Sequence, residues 1–297
     1  MVDQKIITLL TLAKTGNYTK AADILCITQP AVSHQIRLLE AQYGIKIFTK
    51  GRKGLKTTPE GDILLEYARK AVSLSERVKQ AIEDSRNCIQ RFTVGVTPTL
   101  GESIVSQIFA PYCREHPEAH IAIVTHNLKK IGNMLKLDEI DWAIVDGTIP
   151  GDEYASVLLD TDYLCLVVSP MHRFAKMKTV SLSELKKEKL IMRSPNTGTR
   201  TLFENHLLSR SEDIRNFNII IEIDNITTIK ELVSSNLGVS IIAHSACKAE
   251  EASGTLVVVP IQNLTMIREI NCIFRKDSRH MEILEDIDKI YTNSDNM

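Results

Sequence analysis

The sequence predicts a chain in two parts: an all-α winged helix-turn-helix head with a long linker helix, then an α/β body of two subdomains. Three observations predict it. Within the first 58 residues, three short stretches of helical apolar spacing are followed by a glycine-flanked basic segment. The next segment, Pro59 to Asn87, has its only proline and glycine at the very start. From Arg91 onward, apolar runs of strand character alternate with amphipathic helical ones, the pattern of a parallel sheet covered by helices. The expected boundaries are 1–58 for the head, 59–90 for the linker helix and 91–297 for the body. The first subdomain of the body combines 91–161 with 266–297, and the second is 162–265.

Composition narrows the class. The 297 residues are 43% hydrophobic and 25% charged, enough for sizeable cores, and they exclude a disordered, fibrous or small disulfide-stapled chain. Apolar runs such as Tyr163 to Val168 fall far short of the ~18 to 20 residues of a spanning helix, so no membrane partner is expected. The start, Met1-Val2-Asp3-Gln4-Lys5, lacks the apolar core of an export signal, and a cytoplasmic location is expected. Six cysteines stand far apart without a CxxC pair, which fits a reducing compartment and gives no zinc site. No GxSxG, HExxH or P-loop occurs, and neither a catalytic residue nor a cofactor is expected.

The net charge of -1 hides an asymmetry. Residues 1 to 90 hold 14 bases and 9 acids, net +5, while the remainder holds 22 bases and 28 acids, net -6. Lys46, Lys50, Arg52, Lys53 and Lys56 fall between Gln42 and Thr58 without one acid, a density that attracts a polyanion.

Each element of the head has its own signal. Ile6, Ile7, Leu9, Leu10, Leu12 and Ala13 recur at helical spacing until Gly16. Ala21, Ala22, Ile24 and Leu25 give a second, short helix after Asn17-Tyr18-Thr19. A tight connection at Cys26-Ile27-Thr28 leads into the third, with Thr28 as N-cap, Pro30 in the first turn and an end at Gly44. On that helix Val32, Ile36 and Leu39 point inward, while Gln29, Ser33, His34 and Arg37 share the outer side. Glutamine and arginine can make paired contacts to adenine or guanine edges in the major groove, which makes this face a candidate base reader. Ile45 to Thr58 then reads as a strand, a basic tip between Gly51 and Gly54, and a returning strand, with Lys50, Arg52 and Lys53 placed to meet phosphates.

The ungapped stretch from Ala21-Ala22-Asp23-Ile24-Leu25 through Thr28-Gln29-Pro30-Ala31-Val32-Ser33-His34-Gln35-Ile36-Arg37-Leu38-Leu39-Glu40, with Gly44, Phe48 and Thr58-Pro59-Glu60-Gly61, resembles the LysR-type transcriptional regulators. The resemblance implies bacterial regulation through binding of double-stranded promoter DNA by Gln29, Ser33, His34 and Arg37, with Lys50, Arg52 and Lys53 on the wing. His34 stands where the family commonly has arginine. Homotetramers, DNA bending and contact with RNA polymerase are also implied.

In the linker helix Gly61, Leu64, Ala68, Ala71, Ser75, Val78 and Ile82 alternate spacings of three and four, a coiled-coil seam. Roughly 28 residues at ~1.5 Å each make a rod of about 40 Å, too long for the small head to cover. A homodimer through this helix is expected.

In the body, strands are expected over Phe92 to Val96, His120 to Val124, Asp141 to Val145, Tyr163 to Val168, Leu190 to Met192, Ile219 to Ile223, Val239 to Ile242 and Ile267 to Phe274. Helices are expected between them, notably Leu128 to Leu137, Thr199 to Leu208 and Thr227 to Ser235, with a last one over Met281 to Tyr291. Two subdomains joined by crossings near Asp160-Thr161-Asp162 and Ile261 to Thr265 would form a hinged cleft, periplasmic-binding-protein-like. The family resemblance implies the same architecture. A ligand in such a sheet sits where helix N-termini follow strands. Thr97-Pro98-Thr99 is one such junction. Arg193-Ser194-Pro195-Asn196-Thr197-Gly198-Thr199-Arg200 is another, its hydroxyls, Gly198 and a guanidinium, that of Arg200, suited to a small anionic effector. Asn127, Asp146, Asn225 and Thr227 stand at further ends facing the same supposed crevice. Each threonine is also a good N-cap needing no ligand, and Arg200 has Glu204 one turn ahead as an alternative partner.

Two other functions compete with a regulator. A small-molecule-binding or enzymatic α/β protein with an incidental basic head would act without DNA, and the missing catalytic motifs weigh against the enzyme. A thiol switch needs paired cysteines, and Cys165, Cys247 and Cys272 fall on separate predicted elements, which argues against pairing.

Overall fold

A computed structural model describes residues 2–51, 54–87, 89–103, 105–195, 197–277, 286–287 and 289–290, the side chains of Lys50, Glu102, Ser103 and Ser106 excepted. The chain divides into two compact units, residues 1–90 with 136–139 and residues 91–135 with 140–297.

The head is built from locally capped helices. The Asp3 carboxylate accepts the Lys5 N–H at 2.9 Å to start α1 (Gln4–Thr15), which stops at Gly16 in the left-handed conformation that favours glycine. Asn17 caps α2 (Tyr18–Leu25). The Thr28 hydroxyl accepts the Ala31 N–H at 3.3 Å to start α3 (Gln29–Tyr43), closed by Gly44. Leu9, Leu12, Ala21, Ala22, Val32, Ile36 and Leu39 form the core that the three apolar faces share. The wing is β1 (Phe48–Gly51) paired antiparallel with β2 (Gly54–Thr57). It begins at Phe48 rather than Ile45 because Ile47 is tied elsewhere: its N–H donates to the Glu40 carboxylate and its carbonyl accepts the Thr58 N–H. Arg52, Lys53 and the Lys50 side chain lie outside the described residues.

The helix α4 (Pro59–Asn87) starts where the Thr58 hydroxyl accepts the Gly61 N–H at 2.9 Å. Gly61 lies so close to the Ile47 carbonyl that a Cβ there would collide with it. The expected seam is divided: Gly61, Ala68 and Ser75 are buried, Ala68 in the head's own core, while Val78 and Ile82 are exposed, as are Ile63, Tyr67 and Leu74 outside the seam.

In the second unit the order is β3 (Gln90–Val96), α5 (Pro98–Ser103), α6 (Val105–Glu115), β4 (Ala119–Thr125), α7 (Leu128–Lys136), β5 (Trp142–Asp146), β6 (Tyr154–Val168), α8 (Leu182–Leu185) and β7 (Lys189–Met192). It continues with α9 (Gly198–Leu208), β8 (Asn218–Glu222), α10 (Ile226–Ser234), β9 (Val239–Ala243), α11 (Lys248–Ser253), β10 (Val257–Val259) and β11 (Met266–Arg275). The strands join in the order β4-β3-β5-β11-β6-β9-β7-β8, with β10 on β6. The sheet is mixed, not parallel throughout: β3 runs parallel to β5, and β7 to both β8 and β9, but β11 is antiparallel to β5 and β6.

One of the two crossings differs from expectation, since Asp160-Thr161-Asp162 does lie within β6. The 15-residue β6 and the whole of β11 pair across both lobes, so β11 rather than Ile261 to Thr265 makes the return. The first half of β6 is only partly buried, and the charged Asp160 and Asp162 interrupt its apolar alternation, which hid it among loop residues. Strand alternation sends Leu164, Leu166 and Val168 to one face of the second lobe and Cys165 and Val167 to the other. In the first lobe it likewise parts Ile144 from Ala143 and Val145. The helix expected over Met281 to Tyr291 lies largely outside the described residues, of which 286–287 and 289–290 are helical.

Candidate functional site

Two surfaces emerge. On the head, Gln29, His34 and Arg37 are exposed and Ser33 half-buried on the side of α3 away from Val32, Ile36 and Leu39, and the exposed Thr28 stands at the helix start as its N-cap. Arg37 lies along the helix, its Nη2 donating to the Ser33 hydroxyl at 3.2 Å and its Nε to the Ser33 carbonyl at 3.4 Å. These exposed bonds are weak enough to exchange for a partner's acceptor. Gln35 is held instead by the Thr8 hydroxyl at 2.5 Å, which anchors α3 to α1. Glu40 is also structural: burial raises its carboxyl, but Lys46 and the Ile47 N–H more than offset this and hold it below its ordinary value.

On the body, a cavity of about 720 Å³ opens between the two lobes. The first lobe lines it with Thr97, Pro98, Thr99, Asn127, Leu128, Lys129 and Asp146; the second with Arg193, Thr197, Gly198, Thr201, Leu202 and Asn205. Thr97 is placed at the β3–α5 junction, where its hydroxyl accepts the Asp146 N–H at 3.3 Å. Asn127 caps α7, and Thr197 caps α9 while donating to the Ser194 carbonyl at 3.0 Å. Gly198 leaves room for the opposite lobe, since a Cβ there would stand 3.1 Å from Asp146 Oδ2. The nearly fully buried Arg193 guanidinium lies in the wall. Hydroxyls, cations and the N-terminal ends of α7 and α9 give this space the chemistry to hold an anion.

Five expected residues are not brought to the cavity lining. Arg200 is buried but faces away: its Nε donates to Glu204 at 2.5 Å, and its Nη1 to Glu222 at 2.8 Å and the Arg193 carbonyl at 3.2 Å. The i+4 pairing with Glu204 holds it. Thr199 is buried, Ser194 offers its carbonyl to Thr197, and Asn196 lies outside the described residues. Asn225 is spent capping α10, accepting the Thr228 N–H at 2.8 Å, and Thr227 faces solvent away from the lining. Arg193 stood at the start of the expected loop but was passed over for Arg200, and the lining residues missed are Leu128, Lys129, Thr201, Leu202 and Asn205. Gly198, Thr201, Leu202 and Asn205 fall at i, i+3, i+4 and i+7, so one face of α9 could have been read from helical spacing.

Behind the cavity stands a buried ion-pair chain. Arg268 on β11 pairs with Asp146 at 2.5 Å and with Asp162 at 2.8 Å, and Ser245 donates its N–H and its O–H to Asp162 at 3.2 and 2.8 Å. Burial acts to raise the Asp162 carboxyl, but the Arg268 guanidinium, the Ser245 hydroxyl and the Tyr163 N–H outweigh it and hold the group below its ordinary value. The structure also brings together two cysteines set apart in the sequence, Cys165 and Cys247, whose Sγ atoms are 3.8 Å apart. Their placement on separate elements did not keep them apart.

Among the described residues no helix is long and apolar enough to cross a membrane, and no group of three or more His, Cys, Asp or Glu could hold a metal ion.

Residues 4–62 match the family model described as bacterial regulatory helix-turn-helix protein, lysR family, and residues 89–287 match the LysR substrate binding domain. A relative from Trichormus variabilis named as a probable RuBisCO transcriptional regulator is 31% identical over 269 residues, 89% of this chain and 79% of its own. One of the same name from Trieres chinensis is 27% identical over 276 residues, 91% and 89% of the two chains. Full-length CbnR complexed with target DNA shares the fold, with a TM-score of 0.68 at 19% identity over 99% of this chain and 100% of that one. The regulatory domain of Synechocystis CcmR in complex with 2-PG does too, with a TM-score of 0.61 at 17% identity over 70% and 98%.

Proposed function

The chain belongs to the LysR family of transcriptional regulators, with a DNA-binding head and an effector-binding domain, and from that premise we propose how its residues divide the work. Gln29, Ser33, His34 and Arg37 read base edges in the major groove of an operator, with Thr28 at the helix start and Lys50, Arg52 and Lys53 on phosphates. The observation that carries this reading is the free polar face of α3: a well-capped helix whose apolar side is fully used by the head's core and whose other side is exposed.

Two copies pair through α4. Support comes from Val78 and Ile82 of the expected seam and from Ile63, Tyr67 and Leu74 outside it, large apolar side chains exposed along that helix. Assembly to a homotetramer, contact with RNA polymerase and a cytoplasmic location accompany the regulator's role.

The effector is a small anion held in the cavity between the lobes, by Thr97, Thr99, Asn127, Thr197 and Gly198 from the expected set and by Arg193 in place of Arg200. Asp146 in the same wall favours an anion that also carries a hydrogen-bond donor. Such a ligand changes DNA binding only by preferring one of two lobe arrangements. The experiment is calorimetry on the full chain with 2-PG and inorganic phosphate as probes. Saturable binding of either probe, weakened at least tenfold by Thr97→Ala and by Arg193→Lys with operator binding intact, is the expected result. Unaltered affinity in both variants rejects the site.

A further inference from the structure

The face of the second lobe that packs Val167, Ile191, Ile229, Val233 and Ile242 also holds Cys165 and Cys247. Both are buried free thiols, Cys247 fully and Cys165 nearly so, and their sulfurs touch at 3.8 Å. They are 82 residues apart in the chain, so only the fold makes the contact. A disulfide needs a sulfur separation of about 2.05 Å, a closure of under about 2 Å shared by two side chains.

The neighbourhood gives the pair a consequence. Cys165 lies on β6 three residues after Asp162, and Cys247 lies two residues after Ser245, which donates to Asp162. Asp162 holds Arg268, and Arg268 holds Asp146 in the cavity wall. We propose that Cys165 and Cys247 form an oxidisable dithiol whose disulfide fastens the Ala243–Cys247 segment to β6 and thereby resets the Ser245–Asp162–Arg268–Asp146 chain.

The oxidant is a small uncharged peroxide. One sulfur, on losing its proton, attacks a peroxide oxygen; the O–O bond breaks, and a sulfenic acid and one water form. The other sulfur attacks the sulfenic sulfur, the S–O bond breaks and a second water leaves. Two thiols and one hydrogen peroxide thus give one disulfide and two waters, with two electrons passing from sulfur to oxygen. The hydrogen bond between the thiols and then burial push Cys165 up from its ordinary value. Thiolate is therefore scarce at neutral pH, the pair survives in its reduced form, and oxidation accelerates by about tenfold per pH unit.

The test uses the full chain with Cys26→Ser, Cys88→Ser and Cys113→Ser, which removes the exposed Cys26 and Cys113 together with Cys88. The protein is exposed to hydrogen peroxide at pH 7 and pH 8.5, alkylated under denaturing conditions, and digested without reductant. The expected product has lost two hydrogens, contains a peptide joining Cys165 to Cys247, and reverts with dithiothreitol. Either Cys165→Ser or Cys247→Ala abolishes the link, the second serving if the first fails to fold. Amide exchange at Ser245, whose N–H is bound to Asp162, slows or quickens at least threefold in the oxidised form. Three fully alkylatable thiols after peroxide, or links shared equally with Cys272, overturn the dithiol. A specific link with unchanged Ser245 exchange overturns the coupling, and neither outcome depends on what the cavity binds.

Discussion

Arg268→Ala isolates the charge chain that joins the two lobes. The guanidinium holds two carboxylates, Asp146 and Asp162, whose side chains are 4% and 5% exposed. Removing one partner of a buried pair costs about 3–5 kcal/mol, because the charge left behind is desolvated without compensation. Ser245 still donates two hydrogen bonds to Asp162, so the lower end, about 3 kcal/mol, is expected. For a unit of this size each kcal/mol moves the midpoint by roughly 2–4 °C, giving a fall of about 6–12 °C. The chain's one tryptophan, Trp142, is buried in the body, so its emission during heating of the full protein follows that unit alone. The double variant Arg268→Ala with Asp162→Asn removes one stranded charge and should regain about half the loss. A fall under about 2 °C, or a double variant no more stable than the single one, would refute the energetic role given to Arg268.

Three further outcomes are expected. Gly61→Ala forces a Cβ against the Ile47 carbonyl and lowers the stability of the head by about 1–3 kcal/mol, measured by denaturant unfolding of helix content with the Trp142 transition unchanged. Because the folded Asp162 carboxyl is held below its unfolded value, its stabilisation is complete above the ordinary carboxylate range and is lost as the pH falls below about 4; Asp162→Asn should flatten the acid limb of stability against pH. Arg200→Ala leaves two half-exposed acids without their cation and costs about 1–2 kcal/mol in the Trp142 transition while leaving probe affinity in the cavity within about twofold.

How much the sequence discloses depends on how local the cause is. Asp3, Asn17, Thr28, Gly16 and Gly44 act on backbone groups within a few residues, so the helices of the head were legible, as was the polar face of α3. Gly61 was visible as part of a motif, but its reason, the Ile47 carbonyl 14 residues earlier, was not. In the body, apolar alternation located the buried strands but missed the first half of β6, which is only partly buried. The loop around Thr197 was legible as a strand-to-helix junction, and the structure brings Thr197 and Gly198 to a cavity wall, yet Arg200 and Arg193 could not be told apart. Which guanidinium faces the cavity is settled by Glu222, a residue from another strand. Proximity of Cys165 and Cys247 depends on the packing of the His244–Ala246 turn against β6 and left no trace in spacing.

Operator affinity of the α3 variants tests the central claim most directly. DNA captured by the full protein from its own genome would supply the operator, and binding would be followed across a salt series beside non-specific duplex. Gln29→Ala and Arg37→Ala should each weaken operator binding by about 1–3 kcal/mol, roughly five- to 150-fold, while leaving the weaker non-specific binding and its salt slope nearly unchanged. Operator affinity equal to that of the unmodified protein in both variants would contradict the assignment of base reading to this helix face.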